Sequence, residues 1–290
     1  MDIISEIQNN QIDYNALKEK CYIRLVDTRE VDISIIIPVH GRTQFNRVVS
    51  GHFKTAIDYY NATHEKELKV SITIVEHYYE RQHDSLCEPY VNYIHIPQEG
   101  RFSKTLCFNC GVLYLQNKAP HIMFQDCDTM CNPDFFIKLE PNLKRNKDAL
   151  QAFTKRRLIH ANQVITNKIL HGEEHIGNAY DGSRDTTLAT PGAQGGSIIV
   201  SKEMFEKVGG MECSLTEYGI EDALFWAKVS EFTNIGSADY PPVEQVHLWH
   251  EASFSRVTKD FDMQYYNSFL ALSREDKLRY MEIKSNYIKT

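Results

Sequence analysis

Ile33-Ser34-Ile35-Ile36-Ile37-Pro38-Val39-His40-Gly41-Arg42 is the stretch that decides the fold. Its first seven residues are almost all apolar and mostly β-branched, without the alternation of a half-exposed strand. Such a run fits a strand buried on both faces, as in a parallel sheet. Pro38 has no amide donor and predicts the end of that strand. Outward from it, residues 44–60 predict a helix, with Phe45, Val48, Val49, Phe53, Ile57 and Tyr60 three to four apart. Strands follow at 70–75 and 91–96, then a helix over 103–115 that Ser103 can cap, then a short strand over 121–125. Pro133 predicts the first turn of a helix running to about residue 144. A strand at 197–200, a helix at 202–208 stopped by Gly209-Gly210, a helix at 220–230 and one or two charged helices from residue 260 complete the order.

This order implies an α/β fold with a mainly parallel sheet flanked by helices and closed by C-terminal helices. Ligands of such sheets sit beyond the carboxyl ends of the strands. The chain has 290 residues, 42% hydrophobic and 24% charged, ordinary for a globular protein. Three segments are expected: an N-terminal helical arm (1–30), a catalytic domain (31–257) and a helical extension packed on it (258–290). Residues 154–194 are polar and irregular, a pattern that in compact domains is often functional. The net charge of −7 argues against a dedicated nucleic-acid binder. Seven cysteines, an odd number, argue for a reducing compartment rather than a disulfide framework. Residues 1–30 hold no apolar run of signal-peptide length, and no window suits a membrane span. A cytoplasmic location and no transmembrane segment are therefore expected.

Five groups of residues could carry chemistry. Asp126-Cys127-Asp128 ends a strand; if the segment is extended, both carboxylates lie on one side and offer hard oxygen ligands to Mg²⁺ or Mn²⁺. Two exposed turn acids are the plain alternative. His247-Leu248-Trp249-His250 places two imidazoles three residues apart, suited to Mn or Zn, or else two partly buried histidines. Gly195-Gly196 precedes a strand and lets a ligand, or simply a turn, approach the backbone. Tyr218-Gly219-Ile220-Glu221-Asp222 brings two acids to a helix start, either as ordinary first-turn residues or as a general base on a rigid element. Cys107-x-x-Cys110 and Cys127-x-x-x-Cys131 have the spacing of a four-cysteine zinc site, although the first pair sits in an apolar helical pattern where buried thiols are normal.

In this order the motifs resemble a GT-A glycosyltransferase, and more closely the β-1,4-galactosyltransferase family (glycosyltransferase family 7) with its bacterial relatives in family 2. Ile35-Ile36-Ile37-Pro38-Val39-His40-Gly41-Arg42 is similar to that family's first strand and nucleotide-binding turn. Phe102-Ser103-Lys104-Thr105-Leu106-Cys107-Phe108-Asn109-Cys110-Gly111 resembles its Asn-x-Gly helix. Gly195-Gly196-Ser197 with Met204-Phe205 and Val208-Gly209-Gly210-Met211 is similar to its donor-sugar segment. The likeness covers about residues 32–250. Two positions depart from it: Tyr218-Gly219-Ile220 stands where the family has Trp-Gly-Gly, and His247 where it has a methionine.

The resemblance implies a metal-dependent enzyme with a GT-A, Rossmann-like domain. It would move a hexose or N-acetylhexosamine from a UDP-sugar to a saccharide or glycoconjugate hydroxyl, with inversion. It implies Mn²⁺ or Mg²⁺ at Asp128, His250 and His247, with Asp126 beside them. Asp222 would be the base and Glu221 its partner and an acceptor ligand, together with Tyr218 and Gly219. Pro38, His40, Arg42, Glu76, Lys104, Asp126, Gly195 and Gly196 would meet the nucleotide sugar, and Arg156-Arg157 would meet the diphosphate or only solvent. A retaining GT-A enzyme, or a non-catalytic zinc- or sugar-binding module, is the alternative. The length is that expected of a catalytic domain alone.

Overall fold

The computed structural model describes residues 2–9, 11–26, 30–84, 87–115, 118–154, 159–173, 186–187, 195–215, 220–251 and 259–289. The opening stretch forms strand β2 (Ile33–Val39), buried along its whole length. Its side chains alternate between two cores. Ile33, Ile35 and Ile37 face helix α3 (Thr43–Thr63), while Ile36 faces helix α4 (Lys104–Tyr114). Each fully buried isoleucine contributes about 1.5–3 kcal/mol of transfer free energy. Pro38 does not end the strand. Pairing with β3 (Val70–Tyr78) continues to Val39, whereas pairing with β5 (His121–Gln125) stops at Ile36. The missing donor therefore falls where one edge of β2 is already open.

Around β2 lies an eight-stranded sheet in the order β1-β4-β3-β2-β5-β10-β7-β11. Its other strands are β1 (Tyr22–Arg24), β4 (Val91–Pro97), β7 (Ala149–Gln151), β10 (Ser197–Ser201) and β11 (Gly236–Ser237). The four central strands β4-β3-β2-β5 are parallel, and β10 runs antiparallel between β5 and β7. A second sheet joins β6 (Thr129–Cys131), β12 (Gln245–His247), β8 (Ile159–Ala161) and β9 (Thr186–Thr187). The sequence pattern does not announce it, because strands of two or three residues carry no periodicity. Part of the polar stretch 154–194 supplies this sheet and helix α6 (Gln163–Leu170). Helix α5 (Phe135–Arg145) starts two residues after Pro133, which lies in a turn closed by Phe135 N–H donating to Asn132 O at 3.0 Å.

Ser103 caps α4 as expected, accepting from Leu106 N–H at 3.2 Å. Short helices α1 (Ile3–Asn9) and α2 (Tyr14–Lys20) precede β1, so residues 1–30, expected to be a helical arm, also supply an edge strand of the main sheet. Helix α7 (Lys202–Lys207) ends at Gly209 and Gly210, both left-handed, with φ of 72° and 64°. A Cβ at either glycine would also strike Lys284 or Ile288 of the last helix, α10 (Arg274–Lys289). The helix stop is thus also the seat of the C-terminal helices. With α9 (Lys259–Ala271) they bury Tyr265, Phe269, Tyr280 and Met281 in one cluster with α4, α7 and α8 (Ile220–Ser230). Among the described residues, no helix is long and apolar enough to cross a membrane.

Candidate active site

Two clusters meet beyond the carboxyl ends of β2 and β5, and each takes one acid of Asp126-Cys127-Asp128. The segment is a turn, with Thr129 N–H donating to Asp126 O at 3.2 Å. The extended form that would align both carboxylates does not occur, and the two acids find different partners.

Asp128 is buried in the turn just before β6. Leu248 N–H donates to its carbonyl at 2.7 Å, which fixes the chain between His247 and His250 against it. His247 Nε2 lies 3.4 Å from Asp128 Oδ1, and His250 Nε2 lies 3.2 Å from Oδ2. The ligand atoms of Asp128, His247 and His250 all lie within 4.8 Å of one another, the one such group among the described residues. Asp128 Oδ1 is buried with no hydrogen-bond partner among them. A carboxylate oxygen left open beside two imidazoles is a donor set that fits a divalent transition ion.

Arg42 completes this cluster. Its guanidinium donates to Asp128 Oδ2 at 2.6 Å, and its other terminal nitrogen lies 3.1 Å from His250 Nδ1. Arg42 sits at φ 52°, the one non-glycine residue with positive φ among those described. That conformation costs roughly 1–2 kcal/mol. It turns the side chain across the strand ends, where a buried, charge-assisted pair offsets the strain. Burial would raise the Asp128 pKa. The hydrogen bond from His250 and the charges of His247 and Arg42 outweigh it and bring it down to about 2.

The second cluster surrounds Lys104 in the first turn of α4. Its Nζ lies 3.1 Å from Asp126 Oδ1, 3.3 Å from Glu221 Oε1 and 3.0 Å from Asp222 Oδ2. Three carboxylates share one cation here. Burial, then Asp222, push the Glu221 pKa up to about 8, against the opposing charge of Lys104. Burial also raises Asp222. Glu221 Oε2 and Asp222 Oδ1 have no hydrogen-bond partner among the described residues. Gly195 makes room for the pair, since a Cβ there would overlap the Asp222 carboxylate. Gln151 holds the glycine turn, donating to Gly195 O at 3.0 Å and Ser197 O at 2.7 Å while accepting from Trp226 Nε1–H at 3.2 Å. Gly196 O accepts from Asp126 N–H at 2.9 Å.

The raised Glu221 pKa has a definite thermodynamic sign. In the folded state the carboxyl keeps its proton from its ordinary 4.5 up to about 8, so across that window the folded state binds more protons. Stability from this group therefore falls as pH rises through the window. Glu221→Gln has no proton to lose. We expect its melting temperature to gain on that of the wild type between about pH 5 and pH 8. Parallel melting curves across that range would refute this.

The remaining expected site residues fall as follows. Glu76 is fully buried at the end of β3 and accepts from Gln82 N–H at 3.0 Å and from the Tyr93 hydroxyl. It holds the loop that carries His83, whose Nε2 lies 3.0 Å from Gly41 O. His40 packs against Phe102 and Tyr78, with Nδ1 2.9 Å from His77 O. Pro38 is buried in β2. Tyr218, Gly219, Arg156 and Arg157 lie outside the described residues.

The four cysteines of the zinc alternative do not come together. Cys107 and Cys110 belong to one core and Cys127 and Cys131 to the other. All four are free thiols whose pKa burial raises. Sequence reasoning did not single out Gln151, His83 or His160. His160 lies within an irregular stretch, and only the register of β8 beside β12 brings its ring 5.0 Å from that of His247.

No family model and no curated protein matches the sequence. Solved structures do match the fold. S. aureus TarS 1–349 in complex with UDP is 13% identical, with 87% of this chain and 70% of that chain covered at a TM-score of 0.54. TarS 1–349 in complex with UDP-GlcNAc is 12% identical, covering 89% and 72% at a TM-score of 0.53. The catalytic domain of Drosophila β1,4-galactosyltransferase 7 in complex with xylobiose is 14% identical at a TM-score of 0.43, covering 77% of this chain and 66% of that one. At identities this low, the two TarS matches show a shared GT-A-like fold.

Proposed function

We propose that the protein is a metal-dependent glycosyltransferase that moves a hexose or N-acetylhexosamine from a UDP-sugar to a saccharide hydroxyl with inversion. One observation carries the reading. A carboxylate–imidazole group with an open oxygen at Asp128 stands beside a buried acid pair held by Lys104. Asp126 and Asp128 are two residues apart, so the clusters are within about 7 Å along the chain. The fold shared with UDP and UDP-GlcNAc complexes of TarS supports the donor class. The stretches containing Pro38, His40 and Arg42, then Lys104, then Gly195 and Gly196, support the likeness to the β-1,4-galactosyltransferases.

Asp128, His247 and His250 would hold Mn²⁺, which when bound supplies Lewis-acid stabilisation of a departing nucleoside diphosphate. Arg42 places a fixed positive charge at the same point and orients the phosphates. Asp222 takes the proton of the acceptor hydroxyl through its open Oδ1. The acceptor oxygen bonds to the anomeric carbon as the carbon–phosphate oxygen bond breaks, and UDP leaves with the bonding pair. Lys104 keeps the Asp222 carboxylate in place. Glu221, protonated up to about pH 8, can donate to a sugar oxygen. Tyr218 and Gly219 are assigned to the acceptor by sequence alone.

UDP together with Mn²⁺ is expected to raise the melting temperature. At a ligand concentration 100 times Kd the stabilisation is about 2.7 kcal/mol. Absence of a shift with every nucleoside diphosphate, each tested with Mn²⁺ and with Mg²⁺, would end the proposal.

A further inference from the structure

We infer that His160 is a fourth protein ligand of the metal centre, joining Asp128, His247 and His250. The inference rests on the metal-dependent reading above and extends it. β8 runs parallel to β12 with His160 in register beside His247. Residues in register on neighbouring strands project from the same face, at a strand spacing of about 4.8 Å. The two rings lie 5.0 Å apart, and those of His247 and His250 lie 5.2 Å apart. A metal–nitrogen bond of about 2.1 Å puts a ring centre about 3.3 Å from the ion. Two imidazoles on one ion then have ring centres about 4.6 Å apart at a right angle and about 5.3 Å apart at the tetrahedral angle. Both observed separations fall inside that range, so His247 stands at ligand spacing from each of the other two rings. The ligand atoms of His160 lie outside the 4.8 Å grouping of Asp128, His247 and His250, and a turn of its ring closes that gap when the ion binds.

His160 is also on a rigid support. Asn162 caps the helix that follows, accepting from Ile165 N–H at 2.9 Å, and Ile165 and Ile169 anchor that helix in the core. Thr166 of the same helix accepts from Trp249 N–H at 2.8 Å, which ties it to the His247–His250 segment. Three imidazoles and one carboxylate form a borderline donor set. Such a set selects Mn²⁺, Co²⁺ or Zn²⁺ over Mg²⁺ and leaves two positions of a six-coordinate ion open to a diphosphate.

The test is Co²⁺ binding without nucleotide, followed by calorimetry and by the visible ligand-field spectrum. It uses the wild type, His160→Ala, His160→Cys and, as reference, His247→Ala. We expect His160→Ala to weaken Co²⁺ binding at least about tenfold and to shift the ligand-field bands. We expect His160→Cys to bind with a new thiolate-to-cobalt charge-transfer band, which a residue outside the coordination shell would not give. The Cys variant also keeps the test decisive if His160→Ala fails to fold. Unchanged affinity and spectrum in His160→Ala, with loss of binding in His247→Ala, would overturn the assignment of His160 alone. No binding of Co²⁺ or Mn²⁺ by the wild type would overturn the metal reading as well.

Discussion

Asp222→Asn is expected to lower sugar transfer by about 10²–10⁴-fold while UDP and Mn²⁺ still bind, the loss typical of removing a general base. The carboxamide keeps the shape that fits against Gly195, and its oxygen can still accept from Lys104. What disappears is the site for the acceptor proton. Folding should not suffer, because burial already raises the pKa of Asp222 and the charge of Asp126 raises it further. Removing one negative charge from three around a single lysine relieves that repulsion. Calorimetry with UDP and Mn²⁺, beside a nucleotide-release assay, separates the two effects. If UDP binding is lost together with transfer, Asp222 is a structural residue; if transfer survives, the base lies elsewhere.

The legible parts of the molecule are those whose physics is local. Ile33 to Val39 announces a buried strand because every position is apolar or small, and Ser103 announces a helix start because capping involves only the next three residues. Gly209-Gly210 announces a stop for the same reason. What the sequence concealed depends on chain crossings. The second sheet brings residues 128, 160 and 247 together through strands of three residues, each too short for a pattern. Asp126 and Asp128 look alike in the sequence, yet a turn sends one to Lys104 and the other to Arg42. Arg42 and Lys104 were legible as candidate site residues by their motifs, but not as the two cations that divide the acids between them. Glu76 was legible as an acid at a strand end, but its partners, Tyr93 and the amide of Gln82, come from a neighbouring strand and a loop.

The C-terminal helices are held by a charge network on the helix that carries the acid pair, and this network predicts the second large effect. Lys228 of α8 is fully buried and donates to Gly210 O at 2.5 Å. Burial pulls its pKa down to about 7, although the nearby charge of Glu212 favours the ammonium. Glu212 is itself buried, accepts from the Tyr280 hydroxyl at 2.5 Å and lies 3.1 Å from Lys284 Nζ. Burial would raise Glu212, but Lys284 and Lys228 more than compensate and bring it down to about 2. Its contribution to stability is therefore present above the ordinary value of 4.5 and lost as pH falls toward 2. Glu212→Ala removes the counter-charge of Lys228 and Lys284 and leaves the Tyr280 hydroxyl without its acceptor. We expect a loss of about 3–5 kcal/mol near neutral pH, the usual consequence of stranding a buried charge. Against total stabilities of about 5–15 kcal/mol this is large. Urea unfolding measures it directly. Replacing both partners, as Glu212→Leu with Lys228→Met, should recover much of the loss, since an apolar pair strands no charge on α8. A change of under about 1 kcal/mol in Glu212→Ala would show that apolar packing alone seats the last helices, because surface-like pairs contribute no more than that. The Glu212→Ala variant should also lose transfer activity before it unfolds. Lys228 lies six residues along α8 from Asp222, and loosening that end of the helix moves the acid pair away from Lys104.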